Sequence, residues 1–261
     1  MKTMETPPLT VAEQAEIDRF CAAFGSNIEA VDEDDETPLH FATEPEWGSL
    51  AVVRFLVSEG ADIDAKDADG NTPLHWAASN GNIEAVKFLV SSGADINAHN
   101  NCGNTPLHCA IIFRSNAETA KFLISEKADV NAQNKNFTTP LMRAASCGNV
   151  EIALALLDAG ADVHAKNEYE YSALIEAALN GHFEMVKLLI FQGADVGSRT
   201  ERGYTPLHWA TINGDIEIVK FLVSRGADVD IKDRELGQTP LDTAKEAGNT
   251  AVVDYLAGLR R

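Results

Sequence analysis

Apolar positions along this chain recur on two spacings in a fixed order. In residues 72–93, Leu74, Ala77 and Ala78 share one face of a short helix, with small alanines permitting close helix approach. Ile83, Val86, Leu89 and Val90 then follow the i, i+3, i+6, i+7 stripe of a second helix. Thr72 is placed to N-cap the first helix, and Pro73 opens it where a missing N–H costs nothing. Asn80-Gly81-Asn82 breaks the two apart, and Gly93 closes the second as a residue able to take positive φ. A polar, extended stretch Ala94–Asn104 follows, with turns at Asp69-Gly70 and Cys102-Gly103 in the same phase. Two such helices cannot bury their own apolar faces, so the pattern demands stacked neighbours.

The neighbours are written in the chain. The phrase TPLH at 37–40 returns at 72–75, 105–108 and 205–208, with variants TPLM at 139–142, SALI at 172–175 and TPLD at 239–242. Successive starts are 35, 33, 34, 33, 33 and 34 residues apart. A second phrase keeps step with it: EGADIDA at 59–65, SGADINA at 92–98, AGADVHA at 159–165 and RGADVDI at 225–231. These phrases and their period resemble the ankyrin-repeat family from about residue 10 to the C-terminus. The resemblance implies an all-α-dominated α-solenoid, a stack of helix pairs joined by β-hairpin loops.

The expected organisation is a flexible tail over 1–9 and a single repeat domain over 10–261. Within it, residues 10–36 form a capping half-repeat and first hairpin, and repeats start near 37, 72, 105, 139, 172, 205 and 239. Thr10 and Glu13 make a capping box for the half-repeat helix. Both ends read as solubilising caps of a complete solenoid. Asp35, Phe137 and Glu170 stand where Gly70, Gly103 and Gly203 mark the hairpin elsewhere, so those turns are expected to differ in shape. Lys127 replaces a helix-ending glycine, and repeat five lacks both Pro and His, which places local softness in repeats four and five.

Charge changes the picture next. A net charge of −19 opposes nonspecific nucleic-acid or anionic-membrane binding and favours either a basic protein partner or solubility alone. No basic stripe suited to nucleic acid and no apolar run of membrane-spanning length is present. The N-terminus lacks the apolar core of a secretory signal, and the irregular spacing of Cys21, Cys102, Cys109 and Cys147 fits reduced thiols. Cytoplasmic residence is the expectation, nuclear if the source is eukaryotic, with a chain that is monomeric on its own.

Candidate chemistry is sparse. His40, His75, His108 and His208 occupy one equivalent place, which predicts hydrogen bonds between neighbouring hairpins rather than catalysis. The cluster His99, Cys102, His108, Cys109 has metal-like residue types but fits no standard zinc spacing. A metal-dependent or enzymatic role is the least favoured reading, and neither catalytic residue nor cofactor is expected.

In the family it resembles, partners lie along hairpin tips and the inner helices of the concave face. Two areas vary there. The first is acidic: Glu33, Asp34 and Glu36 at the first tip, with Glu44, Glu46 and Trp47 in a loop two residues longer than its equivalents. Trp47 suits either a hot spot or a lid over its own loop. The second is aromatic: Phe137, Tyr169, Tyr171 and Tyr204 on consecutive tips, with Lys135 and Arg202 among them and Phe113, Arg114 and Arg143 extending toward the inner helices. The tyrosines either bind a partner or pack on one another. Trp76 and Trp209 share one register site, which predicts framework packing for both. The functional expectation is a protein-binding adaptor, scaffold or inhibitor, with an immunity-type inhibitor of a basic toxin or nuclease as its alternative.

Overall fold

A computed structural model describes residues 9–25, 27–46, 48–111 and 117–259. Its fifteen described helices are α1 Val11–Phe24, α2 Pro38–Phe41, α3 Leu50–Ser58, α4 Pro73–Asn80, α5 Ile83–Ser91, α6 Pro106–Ile111, α7 Ala117–Ser125, α8 Pro140–Cys147, α9 Val150–Asp158, α10 Ala173–Leu179, α11 Phe183–Phe191, α12 Pro206–Asn213, α13 Ile216–Ser224, α14 Pro240–Glu246 and α15 Thr250–Gly258. The chain is an all-α repeat solenoid. It divides into two compact units, the first running to Ala110 with Glu118–Leu123 added, the second holding the remainder.

In the first unit α1 packs on α3, α3 on α5, and α2 on α4, so first helices meet first helices and second meet second. Helix α1 begins with a capping box. Glu13 N–H donates to Thr10 Oγ1 at 3.2 Å, and Thr10 N–H donates to Glu13 Oε2 at 2.8 Å. Repeat one departs from the others because its first helix, α2, is a single turn, followed by a long connection to Ser49. The core holds most of the residues that the periodicity marks, although Ile83 and Val90 are only half-buried and Ala85 is buried in their stead. Leu39, Leu74, Ala77, Ala78, Val86 and Leu89 are fully buried, and each large side chain there contributes about 1.5–3 kcal/mol.

The second unit repeats the scheme, with α10 between α8 and α12, α12 beside α14, and α11 between α9 and α13. Leu141, Leu174 and Leu207 are the buried equivalents of Leu74. Polar side chains tie the inter-helix loops of neighbouring repeats: Asn249 Nδ2 donates to Thr211 O at 2.8 Å, and Asn213 Nδ2 donates to Leu179 O.

The joining loops are tight turns rather than paired strands. Among the described residues the one bridge is Lys166 with Ser172. Each tip instead closes on itself, as when Asp67 N–H donates to Asn71 O at 3.0 Å and Gly70 N–H to Asp67 O at 2.8 Å. Single backbone bonds then link successive tips within a unit: Ala68 N–H to Asp34 O and Asn101 N–H to Asp69 O in the first, Glu201 N–H to Tyr169 O and Arg234 N–H to Arg202 O in the second. The turns at Asp35, Phe137 and Glu170 do not change shape. Their φ values of 59, 58 and 63° match Gly70 at 75° and Gly103 at 77°, so the ladder imposes the left-handed conformation whatever residue occupies the site. Lys127, at φ 71°, repeats this at a helix end.

The repeated histidines bridge tips as expected. Thr37 N–H donates to His40 Nδ1 at 3.1 Å, which leaves Nε2 to carry the proton and donate to Asn71 O at 3.0 Å. His75 reaches Asn104 O and His208 reaches Gln238 O in the same way. Repeats four, five and seven lack this histidine, and Thr139, Ser172 and Asp242 supply the local caps there.

Candidate functional site

The aromatic candidates converge on one groove in the second unit. Tyr169, Tyr171, Arg202 and Tyr204 line a depression of about 650 Å³ together with Glu176 and Trp209. That volume lies within the usual range for ligand-binding clefts. The tips of repeats five and six supply the tyrosines, and α10 and α12 supply Glu176 and Trp209. Lys135 and Phe137 lie outside its lining, exposed on the preceding tip, with Phe137 52% accessible. Phe113 and Arg114 lie outside the described residues, as does Trp47 of the acidic candidates.

The tyrosines pack on Trp209. Its ring centre lies 6.2 Å from that of Tyr171 and 5.3 Å from that of Tyr204, with the planes tilted by 37 and 31°. Pairs in this range add about 0.5–1.5 kcal/mol beyond area burial. Both tyrosines remain only half-buried, and Tyr169 is 55% accessible. All three phenols stay protonated at neutral pH. Burial raises Tyr171 and Tyr204, and a hydrogen bond to Glu168 raises Tyr169. Arg202 at the rim meets Glu235 at 3.6 Å, an exposed pair worth little on its own.

Trp76 and Trp209 share a register site but not an environment. Trp76 Nε1–H donates to Asp67 Oδ2 at 2.9 Å and its ring meets His40 and Phe41 edge-on. In repeat six the place of Asp67 is taken by Thr200, whose single oxygen accepts from Tyr204 N–H at 3.1 Å. Trp209 Nε1 is therefore buried without a hydrogen-bond partner. Trp76 is framework, as expected, whereas Trp209 is both packed and a wall of the groove.

The same register site carries Arg143 on α8 and Glu176 on α10, so arginine, carboxylate and indole follow one another on adjacent first helices. Arg143 Nε is buried and unpartnered. Burial pushes the Glu176 carboxyl above its ordinary range, while the Ser146 hydroxyl and the Arg143 charge pull the other way. Sequence reasoning passed over Glu176. Its signal was a charged residue at a position that is tryptophan in repeats two and six.

The acidic candidates lie in the first unit. Glu33 and Asp34 are exposed, Glu36 and Glu44 half-buried, and Glu46 exposed. Asp32 Oδ1 accepts from Asp34 N–H at 2.9 Å and from Glu36 N–H at 3.0 Å, which shapes the turn. Burial, then the charges of Asp32, Asp34 and Asp67, push Glu36 up to about 7. Glu44 is raised by burial and by Glu46. Among the described residues no group of three metal-ligating side chains comes together. The cysteines form no disulfide with one another, with Cys109 buried and Cys102 exposed. No described helix is long and apolar enough to cross a membrane.

The comparisons agree with this architecture. Ankyrin-repeat matches span residues 9–100, 93–167 and 174–260, and a second ankyrin-repeat description matches 150–190. No characterised protein matches the chain. Ankyrin repeats are generally protein–protein interaction modules and typically non-catalytic. With matches over nearly its whole length and the repeating helix pairs to go with them, the chain belongs to the ankyrin-repeat family.

Proposed function

We propose that this protein is a non-catalytic binding module, an adaptor, scaffold or inhibitor, that holds its partner in the aromatic groove of the second unit. The observation that carries this reading is the convergence of Tyr169, Tyr171, Tyr204 and Trp209 on one depression. Tyr, Trp and Arg dominate the energetics of protein interfaces, and rings already packed together lose little entropy on binding. Lys135 and Phe137 on the preceding tip, and Arg143 beside Glu176, are the proposed extension of the surface. A photo-cross-linker placed at Tyr169 should capture a defined partner from native lysate. The same group at Phe191 on α11 should not, and equal capture at both sites would refute the reading.

A second reading rests on Glu36. A carboxyl raised to about 7 by burial and then by the charges of Asp32, Asp34 and Asp67 sits in concentrated negative potential on the first unit. That potential suits a basic partner, including a toxin or nuclease neutralised by an immunity-type inhibitor. Reversing the charges of Glu33, Asp34, Glu36 and Glu44 would then abolish affinity, and unchanged affinity would end this version.

A further inference from the structure

The groove has a chemistry more specific than apolar packing. Tyr171, Tyr204 and Trp209 present aromatic rings around a space that Glu176 also lines. Glu176 is half-buried on α10, and among the described residues it is absent from the close ion pairs. Two cations lie nearby. Arg202 faces Glu235 at the rim, and Arg143 on α8, outside the lining, acts on Glu176 through its charge without forming a close ion pair with it. The remaining charge of the lining, Glu201, is a second carboxylate at an exposed tip position.

Resting on the groove as the binding site, we propose that it receives a lysine or arginine side chain from an extended segment of the partner protein, with Glu176 as counter-ion. A cation against ring faces is attracted by the ring quadrupole, more strongly as water is excluded. A carboxylate that is desolvated and makes no close ion pair gains further when a second cation arrives within contact, because its burial is already present in the free protein. The occupant is a protein segment because the groove runs across two successive tips, whose backbones are already tied by Glu201 N–H donating to Tyr169 O. A chain laid across the tips can insert one side chain between the rings and continue over the exposed Tyr169.

The test is selection of random peptides displayed on phage against the immobilised full-length protein, followed by solution affinity measurements on the enriched sequences. Enrichment of Lys or Arg at one fixed position is expected. Affinity should fall at least tenfold with Glu176→Gln and with replacement of that basic residue by Gln or norleucine. Peptides should compete with the native partner, and a Glu33→Lys/Asp34→Lys variant should leave their affinity unchanged. Circular dichroism and thermal midpoints confirm folding of each variant, and pairing Glu176→Arg with a peptide carrying Glu for Lys should restore binding if the contact is direct. Peptides that need Tyr171 but neither a basic residue nor Glu176 would overturn the cation inference and leave the groove reading standing. Enrichment of acidic peptides, or of none that depend on the groove, would overturn both.

Discussion

Replacing Thr200 by Asp gives repeat six the acceptor that repeat two already has. In repeat two one carboxylate accepts from Asn71 N–H at 2.7 Å, from the Asn71 amide at 3.1 Å and from the Trp76 indole at 2.9 Å. Thr200 keeps the first of these roles, toward Tyr204, and leaves Trp209 Nε1 unpartnered. A buried orphan donor costs about 1–3 kcal/mol, and a bond to a charged acceptor contributes about 1.5–3 kcal/mol. Against this stand desolvation of the new carboxylate and repulsion from the acids Asp233, Glu235 and Glu246, which already raise Tyr204. Asp67 shows that hydrogen bonds can outweigh burial at this site, since its carboxyl lies below the ordinary value despite desolvation. The net expectation for Thr200→Asp is about 1 kcal/mol of stabilisation, roughly fivefold in local opening equilibria. Native-state hydrogen exchange is the suitable assay, because a repeat array need not unfold in one step. Amides of α12 should exchange about fivefold more slowly, and Asp67→Thr should accelerate those of α4. If both variants fold and neither changes exchange in this direction, indole hydrogen bonding is not what distinguishes the two tryptophans.

Lys127→Gly should stabilise by about 0.5–1 kcal/mol, since relief of a left-handed residue outweighs the added unfolded entropy. At its equivalents Gly93 and Gly160 a Cβ would touch nothing, so the gain is conformational and visible in the urea midpoint. Glu36→Gln should stabilise the first unit by about 1 kcal/mol at pH 8, a figure reduced for solvent screening. With the native pKa near 7 and the ordinary value 4.5, the native state holds the extra proton between them, so wild-type stability falls as pH rises and the variant's advantage vanishes near pH 4. His40, His75 and His208 act oppositely, because burial lowers each below 6.5. Their contribution is complete above that pH and is lost as pH falls through the native values, when Nδ1 can no longer accept from the threonine N–H. His208→Asn should shrink that acid sensitivity in thermal scans from pH 7 to 5.

The helix pairs, their caps and the bridging histidines were legible because each rests on local chemistry repeated at a fixed period. Thr-Pro at a helix start, Gly after its end and Leu on the buried face act within a few residues. Turn shape at Phe137 and Glu170 was not legible. Local preference argues against positive φ there, and bonds such as Glu168 N–H to Asn136 O from the adjoining tip override it. The single-turn α2 was likewise hidden, because PLHF reads like PLHW up to the point where the longer loop interrupts it. The groove was half legible. Tyr169, Tyr171, Arg202 and Tyr204 stood out as unusual tip residues, but Glu176 joined them only through the side-by-side placement of α10 and α12. The difference between Trp76 and Trp209 lay in Asp67 against Thr200, nine residues before each tryptophan, where the tip turn masks a contact to the helix.

The most direct measurement is the affinity of the cross-linked native partner for the wild-type protein, for Tyr171→Ala/Tyr204→Ala, and for the Glu33→Lys/Asp34→Lys variant. The groove variant is expected to weaken binding at least tenfold, about 1.4 kcal/mol, with helical content unchanged and the acidic-tip variant close to wild type. Full affinity in the groove variant together with loss in the acidic-tip variant would contradict the account and move the binding site to the first unit.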